Sequence, residues 1–148
     1  MKKWTLAALA TTVLALSGCS LLGSGGTVEE LQVTVGECVD EASVTEEGEQ
    51  EIGVLPVVDC AEPHYAEVFH TVQLTDESFP ADVVTQAEDA CYGAFESYVG
   101  IDYAESIYYF TATYPTQGSW DNGDRQIACL LVGEVGEELT GSLKGAAE

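Results

Sequence analysis

Val57-Val58-Asp59-Cys60-Ala61-Glu62-Pro63-His64-Tyr65-Ala66-Glu67-Val68-Phe69 is the stretch on which the fold turns. Val57 and Val58 are β-branched and suit the end of a buried strand, expected over residues 52–59. Glu62 precedes a proline, which pushes it towards extended backbone, so a corner follows with Cys60 at its edge. From Ala66 an alternating pattern resumes, and strand–turn–strand is the natural reading. A period of two puts Ala66, Val68, Val72 and Leu74 on one face of the second strand. His70 shares their parity, as a hydrogen-bonded histidine of the framework, and Glu67 falls on the other side.

Outward from this corner, Ala81 to about Val99 reads as the one main helix, entered at Pro80 and stopped at Gly100. Val84, Ala87, Cys91, Ala94, Phe95 and Tyr98 recur at helical spacing and form an apolar stripe, with Cys91 in its middle. Ser106 to Tyr114 and Gln126 to Gly133 read as further strands, joined by a loop. Ile127, Cys129 and Leu131 share a face, which places Cys129 against Cys91. Gly36-Glu37-Cys38-Val39-Asp40 opens the fold as a short strand, and Leu139 to Leu143 adds a short edge strand. Strands, a helix and strands again, without βαβ alternation, define an α+β class: a small antiparallel sheet covered by one main helix.

The N-terminus carries an address. Lys2 and Lys3 precede an apolar run from Trp4 to Leu16, too short to span a bilayer and suited to a secretory signal. The run ends in Leu16-Ser17-Gly18-Cys19, which resembles the lipobox of bacterial lipoproteins, whose cysteine receives the lipid. Residues 1–18 are thus expected to be a signal peptide, Cys19 the lipidated residue (diacylglycerol and palmitate), and 19–34 a flexible tether. Residues 35–143 form the folded domain, and 144–148 a C-terminal tail. A coil of the tether's length spans ~20 Å, so the expected place is the outer face of the plasma membrane, reached through the lipid alone.

Acylation of Cys19 accounts for the odd cysteine among five and leaves Cys38, Cys60, Cys91 and Cys129. Four cysteines in an oxidising compartment form two disulfides, with three possible connectivities. The face argument pairs Cys91 with Cys129, stapling helix to sheet, and leaves Cys38 with Cys60, tying the first strand to the corner. No CxxC spacing occurs, so zinc-ribbon and thioredoxin-like chemistry are set aside.

The full chain of 148 residues has 26 acidic residues against 4 Lys and Arg, a formal charge of −22. Loss of Lys2 and Lys3 with the signal leaves 26 acids against Arg125 and Lys144, or −24. That charge excludes nucleic acid and anionic surfaces as natural partners and leaves cations, basic proteins and neutral glycans. Glu46-Glu47-Gly48-Glu49-Gln50-Glu51 is the most acidic stretch and reads as a solvated loop.

Several motifs in order resemble the septum-formation domain family of exported proteins in high-GC Gram-positive bacteria. They are Gly36-Glu37-Cys38, Val57-Val58-Asp59-Cys60, Pro63-His64, Glu67-Val68-Phe69, Tyr114-Pro115-Thr116, Ser119-Trp120, Gly123-Asp124-Arg125, Cys129-Leu130-Leu131 and Leu139-Thr140-Gly141-Ser142. The resemblance spans about residues 36–143 and implies a membrane-associated domain with paired cysteines and a link to cell division. It carries no catalytic residues.

No catalytic pattern emerges from the residues either. His64 and His70 are the only histidines, and no GxSxG, HExxH or P-loop motif surrounds them. A zinc site from His64, Glu67 and His70 fails because Glu67 points away on a strand. Asp121, Asn122 and Asp124 lack the EF-hand frame. No enzyme, cofactor or metal is therefore expected. The leading reading is a lipid-anchored binding or scaffolding module with an envelope or division protein as partner; the alternative is a cation- or small-ligand-binding surface lipoprotein, with a metal hydrolase third. The expected contact patch is His64, Tyr65, Trp120 and Arg125, an aromatic and cationic group on an acidic background, with Arg125 paired to Asp59 or Asp124 if it is structural.

Overall fold

The computed structural model describes residues 32–40 and 55–148. The expected signal peptide, Cys19, most of the expected tether and the acidic stretch at 46–51 expected to be a loop lie outside these. Five strands form one sheet: β1 (Cys38–Val39), β2 (Val57–Val58), β3 (Ala66–Gln73), β4 (Tyr109–Thr113) and β5 (Gln126–Val132). Their order is β2-β1-β3-β5-β4, and every neighbouring pair is antiparallel. The helix α1 (Val83–Val99) covers one face, so the α+β architecture is as the sequence indicates.

Both disulfides join the expected partners, Cys38 with Cys60 and Cys91 with Cys129. The helix ends where the sequence says: Gly100 adopts φ 93°, a left-handed cap that a side chain would resist, and its N–H returns to the Glu96 carbonyl. The apolar stripe is shifted by one residue at its start. Val83 is buried and Val84 is 44 % exposed, while Ala87, Cys91, Phe95 and Tyr98 face the sheet. Phe95, Phe69, Tyr103 and Phe110 meet in edge or tilted ring contacts at 4.9–6.4 Å and fill the space between helix and sheet.

A bulge in β3 overturns the single-face reading of that strand. Val68 pairs with Leu130 but His70 pairs with Cys129, so Phe69 is an extra residue. One inserted residue reverses the parity of everything after it. Ala66 and Val68 therefore pack away from the helix with Val33, Val39, Leu55, Ala128 and Leu130. Phe69, Val72 and Leu74 pack towards the helix. Glu67 lies on the helix side too, fully buried. Central β5 has a core on each face and is buried along almost its whole length.

The edges also depart from expectation. β2 is two residues long with Val57 54 % exposed, an edge strand where a buried one was expected. Leu139 to Leu143 forms no strand; Leu139 alone makes an antiparallel bridge to His64. A short helix, α2 (Gln117–Asp121), stands where a loop was expected, nucleated by a capping box between Thr116 and Ser119. The last residues lie along the end of α1: Gly145 and Ala147 donate to the Tyr98 and Val99 carbonyls. At the other terminus Val33 is 2 % exposed and exchanges backbone bonds with the Gln126 side chain, so the folded part begins inside the expected tether.

Candidate functional site

The four residues expected to form one contact patch do not meet. His64 and Tyr65 precede β3, whereas Leu74, just past its end, bonds the Arg125 carbonyl. Nine residues of extended chain separate the two ends, roughly 30 Å at ~3.3 Å per residue. Two of the four are interior: His64 is fully buried and Trp120 is 5 % exposed.

At the Arg125 end the arrangement is structural. Trp120 packs edge-on to Phe79 at 5.8 Å and carries the Arg125 guanidinium 3.5 Å above its ring. The same guanidinium donates to the carbonyls of Trp120 (2.8 Å) and Asp124 (2.6 Å), instead of pairing with an Asp59 or Asp124 carboxylate. Buried Asp124 accepts instead from the Ser119 hydroxyl and the Gln126 N–H. Gly123, at φ 100°, makes the turn that brings Asp124 back to α2.

A second polar network ties the C-terminal segment to the core. The Glu67 carboxylate accepts from the Tyr98 hydroxyl (2.7 Å), the Ser142 hydroxyl (2.6 Å) and the Leu143 N–H. Burial, and then the hydrogen bond to Glu67 and its charge, push the Tyr98 phenol well above its ordinary range. His64 is fixed nearby in the chain by its bridge to Leu139. Its Nδ1–H donates to the Glu62 carbonyl at 2.9 Å, while buried Nε2 has no hydrogen-bond partner. Among the described residues no group of three or more His, Cys, Asp or Glu is placed to hold a metal ion.

Tyr65 is the exposed member of the expected patch, at 38 %. It borders a groove of about 380 Å³ at the end of the sheet where β1 and β5 finish and β3 begins. The other walls are Val132 and the turn from Gly133 to Glu138, with Asp40 opposite. Gly136, at φ 85°, makes the turn, and the Glu137 N–H closes it on the Glu134 carbonyl at 2.9 Å. Val135 at its tip is fully exposed. The groove thus presents a phenol ring and an isopropyl group among the carboxylates of Asp40, Glu134, Glu137 and Glu138. This chemistry suits a cationic side chain, which gains both charge attraction and a ring face. Residues 133–138 had a sequence signal, an acidic run punctuated by Gly133 and Gly136, but alternation gave no reason to bring it beside Tyr65.

The fold and these networks define a small, twice-stapled α+β domain in which buried Glu67, Asp124 and Gln126 are hydrogen-bonded into the framework. The chain belongs to the family described as "Septum formation", whose model matches residues 23–129, including all four disulfide cysteines. Membership connects it with septum formation. Comparison with curated proteins and with solved structures finds no match. Among the described residues no helix is long and apolar enough to cross a membrane.

Proposed function

We propose that the chain is a non-catalytic module, lipid-anchored through Cys19 on the outer face of the plasma membrane, that holds a basic segment of an envelope or division protein. The acidic groove beside Tyr65 is the observation that carries this reading. It is concave, it offers an exposed aromatic ring, and its charge matches that of the whole chain. Family membership supplies the link to the septum. The commitment of Glu67, Asp124 and Gln126 to scaffold hydrogen bonds supports a role without catalysis.

A photo-crosslinking residue in place of Tyr65 in living cells, followed by imaging of the division site, tests the reading. Capture of a basic envelope protein and enrichment at the septum are expected. Uniform distribution with no captured protein overturns it. The anchor is tested by Cys19→Ala, which is expected to leave the precursor unprocessed and release the chain from the lipid-modified pool; unchanged processing refutes the anchor.

A further inference from the structure

The sheet has two edges, and they are treated differently. β2 consists of two residues beside Pro56, a short edge that offers little to pair with. β4, at the other edge, is Tyr109-Phe110-Thr111-Ala112-Thr113. It has five residues and contains no charge, proline or glycine, the devices that usually guard an edge. Its ladder runs to β5 on one side. On the other side no strand pairs with it among the described residues, and no further backbone bond involves Tyr109 to Thr113. Alternate N–H and C=O groups of an edge strand point outward and form a template for another chain. Exposed apolar side chains flank the template: Ile107 at 61 %, Tyr109 at 48 % and Tyr114 at 38 %.

The charges around this edge lie at one end. Tyr108, the residue before β4, donates its hydroxyl to the Glu148 carboxylate at 3.3 Å. Tyr109, the first residue of β4, pairs with Val132, the last of β5, so the turn that carries Glu134, Glu137 and Glu138 leaves the sheet at the same end as Glu148. Glu137 also lines the groove beside Tyr65, so the acidic groove lies at the same end of the sheet as the start of β4.

We propose that the outer edge of β4 accepts an extended segment of a protein partner as a sixth, antiparallel strand, with Lys or Arg immediately after its strand-forming residues. The proposal rests on the binding reading above and names its mode. Polarity follows from the sheet. Each neighbouring pair is antiparallel, so an added strand runs from Thr113 towards Tyr109 and its continuation heads for the end of the sheet that holds Glu148 and the acidic 133–138 turn. Five residues, roughly 17 Å of strand, match the edge. Charge selects the occupant: a second copy brings a further −22 to the same edge, whereas a basic segment is attracted. Main-chain bonding gives affinity with little sequence demand, and the acidic end gives direction.

The probe is a fluorescent peptide, Thr-Val-Thr-Val-Thr-Gly-Lys-Arg-Lys, titrated by anisotropy against the full chain in detergent. Two further peptides carry N-methyl groups on one or the other set of alternate strand amides, leaving the protein unaltered. Strand addition predicts that one set costs about tenfold or more in affinity while the other is tolerated. Moving the Lys-Arg-Lys tail to the N-terminus is expected to weaken binding. Equal losses from both methylation sets, equal binding of an acidic-tailed peptide, or no binding up to about 1 mM overturns the proposal. If the crosslinker placed at residue 65 still captures a basic envelope protein in cells, the groove reading survives the failure of the edge. A concentration-dependent dimer that disperses on Thr111→Lys assigns the edge to a second copy and likewise overturns it.

Discussion

Tyr98→Phe isolates one hydrogen bond and leaves the ring contacts in place. The wild-type hydroxyl donates to Glu67 Oε1 at 2.7 Å, and Tyr98 is 8 % exposed. A hydrogen bond to a charged group contributes ~1.5–3 kcal/mol. Ser142 and Leu143 still donate to the carboxylate in the variant, so the lower half of that range is expected. At ~4 °C per kcal/mol for a domain of this size, the melting temperature should fall by about 6–9 °C. Glu67→Ala should cost more, about 3–5 kcal/mol, because it strands a phenol and the Leu143 N–H and opens a cavity. Hydrogen exchange at the Leu143 amide should accelerate in that variant, since the Glu67 carboxylate is its acceptor. The same bond fixes a pH dependence. The folded Tyr98 holds its proton above the ordinary phenol value, whereas the unfolded chain ionises near pH ~10. Its contribution is therefore fully present below pH ~10 and is lost as pH rises further. Tyr98→Phe should flatten this alkaline decline without abolishing it, because Tyr108 is shifted in the same direction. Denaturant melts from pH 8 to 11 provide the measurement. A variant within about 0.5 kcal/mol of wild type, with an unchanged alkaline slope, refutes the role assigned to the network.

Replacing Cys91 and Cys129 together by Ala should cost ~4 kcal/mol and the Cys38–Cys60 pair ~3.4 kcal/mol on the chain-entropy model, following their separations of 38 and 22 residues; urea melts showing the reverse order contradict the loop-length argument. Trp120→Ala should destabilise by about 3–5 kcal/mol, since Phe79 and the Arg125 guanidinium both pack on that ring; a melting temperature within 1–2 °C of wild type (about 0.5 kcal/mol) contradicts its placement in the framework. Val84→Ser, on the exposed side of α1, should change stability by no more than about 0.5 kcal/mol, whereas Val83→Ser should be clearly destabilising; equal effects contradict the observed helix register.

Much of the architecture was legible because local chemistry and global packing agree. The α1 stripe places Cys91 inward, the period of β5 places Cys129 towards it, and the disulfide follows from the two. Gly100 stops the helix because a left-handed residue is needed there. The candidate site was less legible, and a single residue explains much of that. Strict alternation through β3 assigns Glu67 the solvent role of a charged residue, but the Phe69 bulge shows that the helix side changes residue parity midway. Nothing in Glu67-Val68-Phe69-His70 announces a bulge, since no glycine marks it. The sequence offers Trp120 and Arg125 as contact residues, with Asp59 or Asp124 as the partner of a structural Arg125; their stacking on each other depends on α2, a helix where the sequence suggests a loop. Tyr65 was identified, but its neighbours at 133–138 come from more than sixty residues away.

The charge of the chain and the structure of its interior bear on each other. Like charges at this density oppose compaction, and Arg125 and Lys144, the strong bases after residue 3, offer little internal neutralisation. The fold meets this repulsion with interactions that salt does not screen: two covalent staples and a core on each face of the sheet. The strong bases are not spent on the surface acids in the described contacts. Arg125 bonds carbonyls under Trp120, and the Lys144 ammonium lies 5.9 Å from the Tyr98 ring. The excess of acids over bases therefore leaves the chain strongly negative, at a stability cost that the disulfides offset. On this argument added salt should stabilise the isolated domain and weaken the proposed binding of a basic partner, two opposite responses arising from one set of charges.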